Sequence, residues 1–242
     1  MKLLDKGYLN LITAWGSDEE IICAARMSTD GGFKGWGPIH DGGAVCSLHP
    51  TFCRCKLKEG DEKLLRFLWT NKHTSPFEQC GFTVEVYAPI FVVREWVRHR
   101  TQSFNEMSGR YTVLPDDYYV PSVERLMAAK QSTVNKQSST EGLSLIDAEM
   151  LQTEINDSYR ESRKDYKWLL ERKVAREIAR MVLPVAQYSR FRASANLRNW
   201  LHFLELRLAE DAQWEIRQYA KGIATIIEEK FPRTFTLFSE DQ

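Results

Sequence analysis

The run Arg98-His99-Arg100-Thr101-Gln102-Ser103-Phe104-Asn105-Glu106-Met107-Ser108-Gly109-Arg110-Tyr111 crowds three arginines, a histidine, two serines, an asparagine and a carboxylate into one segment. Arginine offers a planar fork of N–H donors that matches a phosphate or the carbonyl edge of a heteroaromatic ring. Gly109 allows the backbone to approach a ligand closely or to take positive φ. At a helix C-terminus Arg98, His99 and Arg100 would also complement the dipole. Capping does not explain Glu106, Ser108 and Arg110 at short spacing beyond it. The composition predicts a turn-prone loop that binds something anionic and planar.

A second set of cations follows between Val185 and Arg207, where Arg190, Arg192, Arg198 and Arg207 face Glu205 as the only acid. Over the whole chain the formal net charge is +0 and the pI about 7.0. That balance excludes a global basic field for nucleic acid or a membrane surface. A local anion site is expected; wholesale nucleic-acid binding is not. Met1 to Asn10 lacks the sustained apolar run of a signal peptide. No window of about twenty uninterrupted apolar residues is present to span a bilayer. Cys23, Cys46, Cys53, Cys55 and Cys80 are an odd, unevenly spaced set, as expected of reduced thiols in a cytoplasmic protein.

The elements that must hold these residues are readable from periodicity. At 242 residues the chain can bury roughly 70% of its unfolded surface without disulfides. Lys2 to Leu11 reads as an extended start with a turn at Gly7. Ser17 is an N-cap for a helix that begins with Asp18, Glu19 and Glu20 and ends near Arg26-Met27-Ser28. Asp61 to Asn71 has helical spacing through Leu64, Leu65, Leu68 and Trp69. Phe82, Val84 and Val86 alternate with Thr83, Glu85 and Tyr87 as in a half-buried strand. Pro89 suits the first position of a helix running to Val97. Short strands are predicted over 111–114 and 118–120, and a long helix over 145–183, ended by Pro184. Helices over 196–208 and 212–230 close the chain, with Arg198 and His202 on a shared face. Helices dominate around one strand-rich middle, so the class is α+β.

Two stretches resist this reading. A Gly/Cys-rich loop at 30–60 holds Cys46, His49, Cys53 and Cys55. Its single close cysteine pair, Cys53-Arg54-Cys55, does not match the paired knuckles of structural zinc sites, so no metal is expected. A polar insertion at 131–142 has too little apolar content for a packed element.

The run Arg98-His99-Arg100, then Ser103, Phe104, Asn105, Glu106, then Ser108, Gly109, Arg110, Tyr111 resembles the signature of the flavin-dependent thymidylate synthases, also called thymidylate synthase-complementing proteins. Further segments are similar to that family: Ala24-Ala25-Arg26-Met27-Ser28, His73-Thr74-Ser75-Pro76-Phe77-Glu78, Leu183 to Phe191, and Asn196 to Arg207. The resemblance implies a single domain, 1–242, with a central, mainly antiparallel sheet flanked by long helices. It also implies assembly into a homotetramer whose sites are shared between subunits. It implies methylation of dUMP to dTMP, with methylenetetrahydrofolate as carbon donor and FAD reduced by NADPH. By motif match Arg98, His99, Arg100, Glu106, Asn196, Arg198 and His202 would contact FAD, with Ser75 reaching over from another subunit. Glu95, Arg98, Glu106, Met107, Ser108, Gly109, Arg110, Arg190 and Arg207 match dUMP-binding positions. Arg207 matches the arginine that stabilises the deprotonated uracil N3, the one catalytic assignment.

One residue departs from the pattern. Many members carry Gln where this chain has Glu95, and an ionised Glu accepts hydrogen bonds but donates none. Facing the dUMP phosphate it would repel, so it is expected to turn to a ring N–H or to an arginine. A relative that hydroxymethylates the pyrimidine, or that uses another pyrimidine nucleotide such as dCMP, would keep nearly the same motif. From a different class, a non-enzymatic nucleotide- or RNA-binding module would use the same arginines. None of the cysteines sits in a histidine–base pattern, so no thiol nucleophile is expected.

Overall fold

The computed structural model describes residues 1–37, 39–40, 57–58, 60–131, 139–140 and 142–241. Cys46, His49, Cys53 and Cys55, and most of the polar insertion, therefore lie outside the described residues. The chain begins with β1 (Lys2–Leu3), β2 (Gly7–Trp15) and α1 (Asp18–Arg26). A short pair, β3 (Ile39–His40) and β4 (Leu57–Lys58), precedes α2 (Asp61–Thr70). Next come β5 (Gly81–Pro89), α3 (Ile90–Trp96), β6 (Ser103–Glu106) and α4 (Val123–Met127). A second short pair, β7 (Lys130–Gln131) and β8 (Ser139–Thr140), leads to α5 (Leu145–Glu171) and α6 (Arg176–Ala179). The last elements are β9 (Tyr188–Asn196), α7 (Leu197–Arg207), α8 (Trp214–Lys230) and α9 (Pro232–Glu240). The class is α+β, with a five-stranded antiparallel sheet in the order β1-β2-β5-β9-β6.

The chain packs as two compact units, each assembled from three stretches. The first takes Met1–Ile12, Thr83–Ser194 and Phe203–Gly222; the second takes Thr13–Phe82, Ala195–His202 and Ile223–Gln242. In the first, inward residues Val84, Val86, Phe191 and Ala193 are buried, with Trp96, Phe203 and Tyr219 in the same core. Trp96 packs against Phe203 at 4.7 Å and edge-on to Phe191 at 5.3 Å. The second is built around α1, α2 and α9. Phe82 stacks on Trp200 at 4.7 Å, and the Trp200 indole N–H donates to the Phe82 carbonyl at 3.0 Å. Buried Asp18 accepts from the N–H groups of Arg233 and Thr234 and from the Thr234 hydroxyl, fixing the start of α9.

Local chemistry explains the element ends. Ser17 Oγ accepts from Glu20 N–H at 3.3 Å, and three acids follow in the first turn of α1. The expected turn at Gly7 falls instead at 4–6, with Leu4 at φ 54, and Gly7 opens β2. A Cβ at Gly7 would meet the Tyr219 hydroxyl and, at 2.8 Å, the Leu3 carbonyl. Close approach, not a turn, requires glycine there. Pro89 stands at the N-cap of α3 rather than inside it, and the Ile90 and Phe91 N–H groups donate to the Gln187 and Val185 carbonyls. The long helix expected over 145–183 ends at Glu171, because Lys173 takes φ 62, a left-handed conformation that no Gly announces. The strands expected over 111–114 and 118–120 reduce to one bridge, Tyr118 to Gln187. Strand β9 and helix α9 carry no counterpart among the sequence expectations.

Candidate functional site

Arg207, at the last position of α7, is anchored on three sides within the first unit. Its Nη1 donates to Glu95 Oε2 at 3.0 Å, its Nη2 to the Glu95 carbonyl at 3.0 Å, and its Nε to His99 Nε2 at 2.9 Å. The Arg207 side chain is 16% exposed and that of Glu95 44%. Of the two alternatives for Glu95, the structure shows the turn toward an arginine. Because a guanidinium only donates, His99 Nε2 is the accepting nitrogen and the proton of the neutral ring sits on Nδ1. His99 is buried and packs against Phe203 with ring centroids 4.8 Å apart. A cation held by a carboxylate, a carbonyl and an imidazole cannot swing away. A guanidinium carries about five N–H donors, so part of its fork remains for a ligand.

The signature run forms a strand where a loop was expected. Ser103–Glu106 pairs antiparallel with Phe191–Ser194, and Met107 N–H donates to the Arg190 carbonyl at 2.8 Å. This places Glu106 beside Ser189, whose hydroxyl donates to Glu106 Oε1 at 2.5 Å. Ser108 and Gly109 follow in a turn, with Arg110 N–H donating to Ser108 Oγ at 3.2 Å. Gly109 does not take positive φ; a Cβ there would come within 3.2 Å of Arg180 and Leu114. Arg110 turns to Glu177 of α6, Nε to Oε2 at 3.0 Å. Arg98 and Arg100 are exposed on the connection from α3 to β6.

Arg190 stands exposed on the polar face of the sheet, beside the Tyr8 hydroxyl. Tyr8 stacks on Tyr87 at 5.4 Å and Tyr87 on Tyr188 at 4.9 Å, giving a row of phenols. Each phenol meets a carboxylate: Tyr8 meets Glu85 at 3.1 Å, Tyr87 meets Asp117 at 2.7 Å, and Tyr188 meets Asp5 at 2.6 Å. Burial first, then those carboxylates, raises the phenol pKa values.

In the second unit a cavity of about 620 Å³ is lined by Ala24, Ala25 and Ser28 on one side and by His73 and Ser75 on another. Two motif segments far apart in sequence thus meet at one cavity. Asn196 and Arg198 stand at the β9–α7 junction: Asn196 Oδ1 accepts from Asn199 N–H at 3.0 Å, capping α7, and Arg198 pairs with Glu78 at 2.7 Å. His202 is exposed one turn beyond Arg198. Cys80 is buried, and burial pushes its thiol up to about 11, so it holds its proton at neutral pH.

Comparison with known proteins decides what these pieces belong to. The profile of the thymidylate synthase complementing protein family matches residues 10–233. The chain belongs to this family. It is 43% identical over 238 residues to a flavin-dependent thymidylate synthase of Thermus thermophilus, covering 98% of this chain and 77% of that one. It is 40% identical over 237 residues to the Thermosipho africanus enzyme of the same name, covering 98% and 92%. The fold is similar to the crystal structure of the UMP/dUMP methylase PolB from Streptomyces cacaoi bound with 5-Br UMP. That match has a TM-score of 0.79 at 31% identity, covering 99% of this chain and 96% of that one.

In this member of the thymidylate synthase complementing protein family, two residues gain roles that sequence reading did not give them. Ser189 entered only as part of the Leu183 to Phe191 segment; the structure makes it the partner of Glu106. His99 entered as a flavin contact and is found holding Arg207. Neither contact has a sequence signal, because the partners lie 83 and 108 positions apart.

Proposed function

We propose that this protein methylates C5 of dUMP to give dTMP, as a flavin-dependent thymidylate synthase. The observation that carries the reading is Arg207, held on three sides by Glu95 and His99 in a chain of this family. A fixed guanidinium beside uracil N3 stabilises the N3 anion, lowers its pKa and enriches C5 for attack on the incoming one-carbon unit. The anchors matter because a preorganised charge costs no reorganisation as the anion develops. Glu95 thereby acts on the arginine, away from the nucleotide phosphate. Arg98, Arg110 and Arg190 supply cations for that phosphate, and the Ser108-Gly109 turn after Met107 supplies N–H groups.

FAD fits the donor set of this chain. Ser28, Ser75 and His73 around the second unit's cavity offer hydroxyls and a ring nitrogen for riboses. Exposed Arg98, Arg100 and Arg198 offer the cations that a pyrophosphate requires, and exposed His202 offers a ring nitrogen. Arg98, His99, Arg100, Glu106, Asn196, Arg198 and His202 would hold it, with Ser75 of a second subunit in a homotetramer. When bound, FAD reduced by NADPH supplies the hydride chemistry, and methylenetetrahydrofolate supplies the carbon.

The test is turnover with FAD, NADPH, methylenetetrahydrofolate and dUMP, the products resolved by mass. A gain of one methyl group is expected. Addition of a hydroxymethyl group, turnover of dCMP in place of dUMP, or failure to bind flavin would each overturn the reading.

A further inference from the structure

Helix α5 carries Asn156, Arg160, Arg163, Lys164 and Lys167 at intervals of three and four, which places them on one face. A stripe at that spacing is ordinarily the apolar face by which a helix packs. Here it is basic and borders a cavity of about 270 Å³ within the first unit. Lys6, from the turn before β2, and Asp116 and Tyr118, from the segment leading to α4, also line it. The wall therefore presents five cations and one carboxylate among the described residues.

The cations differ in how firmly they are held. The Arg163 side chain is 12% exposed, and its Nη1 donates to the carbonyls of Leu114 at 3.1 Å and Pro115 at 3.4 Å. Asp116 Oδ2 lies 3.2 Å from Arg163 Nε and 3.4 Å from Lys167 Nζ, fixing both cations at one rim. Lys6 has Asp117 at 3.6 Å. Arg160–Asp157 at 2.7 Å and Lys164–Glu161 at 2.5 Å join exposed side chains one turn apart. Such pairs are weak and exchange readily for a better anion. Tyr118 is 6% exposed, and its covered hydroxyl lies beside the Arg163 cation, helping to pack that side chain against the wall.

The geometry points to a binding site in this cavity for a phosphate-bearing anion, sharing no residue with the Arg207 cluster. The volume suits a phosphate or pyrophosphate group and falls below what a whole nucleotide needs. A planar guanidinium fixed beside mobile ammonium groups is the arrangement that recognises phosphoryl oxygens. The group belongs either to free phosphate or pyrophosphate, or to a dinucleotide such as NADPH.

Pyrophosphate titrated calorimetrically into the full-length protein at low salt, with dUMP at saturation, tests the proposal. Saturable binding is expected, weakened about tenfold or more by Lys164→Ala with Lys167→Ala, the size of losing two charge-assisted bonds. Both lysines are exposed, so the fold should survive. The same loss of charge on the second unit, Arg66→Ala with Lys230→Ala, should leave binding unchanged. Absence of saturable binding to about 10 mM, a range set by the weakest useful affinities, would overturn the proposal. So would competition by dUMP, or equal weakening in the control. A preference for NADPH over NADH that disappears in the lysine variant would identify a dinucleotide phosphate as the source. Equal affinity for the two dinucleotides, with pyrophosphate binding intact, would identify the free anion.

Discussion

At the scale of the residue, the chemistry rests on how Arg207 is held. A lysine there would keep the charge but lose the fork that meets Glu95 and His99 together. Arg207→Lys should lower kcat by roughly 10²–10³, the range for losing one preorganised electrostatic donor. Flavin binding, read by absorbance, should remain, and unchanged turnover would remove Arg207 from its role. Ser189 is subtler, since its hydroxyl touches no proposed ligand and fixes Glu106 Oε1 at 2.5 Å. Ser189→Ala should therefore raise KM for dUMP about tenfold, the loss of a bond to a charged group. A thermal midpoint that falls while KM stays constant would mark Ser189 as purely structural. Arginine-rich composition made a ligand site legible in the sequence. Which arginine is clamped, and by what, was not, because the clamp closes across 112 positions between Glu95 and Arg207.

At the scale of the element, what could be read is what local chemistry sets. Ser17 with three following acids announced α1, and the alternation of Phe82, Val84 and Val86 announced β5. Strand β9 was missed for a physical reason. Its inward residues include small Ala193 and Ala195, and polar Ser189 is buried with them, so little apolar alternation shows. Strand β6 was missed because an edge strand with one partner needs no buried face of its own. Ser17→Ala should cost about 1 kcal/mol and lower the thermal midpoint by about 2–4 °C. An unchanged midpoint would show that the cap contributes nothing. Gly81→Ala should cost more. Its Cβ would meet the Ala195 carbonyl and lie 2.8 Å from Asn196 Cα, both backbone atoms that cannot rotate away. A loss of about 1–3 kcal/mol is expected from such overpacking. Urea midpoints of the two variants, compared at equal m, would show whether the order holds.

At the scale of the whole molecule, each unit draws on three stretches of chain, an interleaving that no periodicity encodes. One consequence belongs to the first unit: it buries phenols beside carboxylates. Tyr87 donates to Asp117, Tyr119 to Glu215 at 3.1 Å, Tyr188 to Asp5, and Tyr219 to the Tyr87 carbonyl at 2.7 Å. Burial is the largest cause in all four, and it raises each phenol's pKa above its ordinary value. A raised folded pKa means the native state keeps its proton where the unfolded chain gives it up. The stabilisation is thus complete below about pH 10, the unfolded phenol value, and is lost as pH rises beyond it. Each phenol contributes a slope of up to about 1.4 kcal/mol per pH unit, so four together would steepen alkaline unfolding sharply. Urea unfolding followed at intervals from about pH 8 to about pH 11 should show a plateau and then a steep fall. Tyr188→Phe should make the fall shallower by one proton while lowering the plateau, because Asp5 loses its donor. A flat profile across that range would mean that the four phenols ionise as freely in the folded protein as in water.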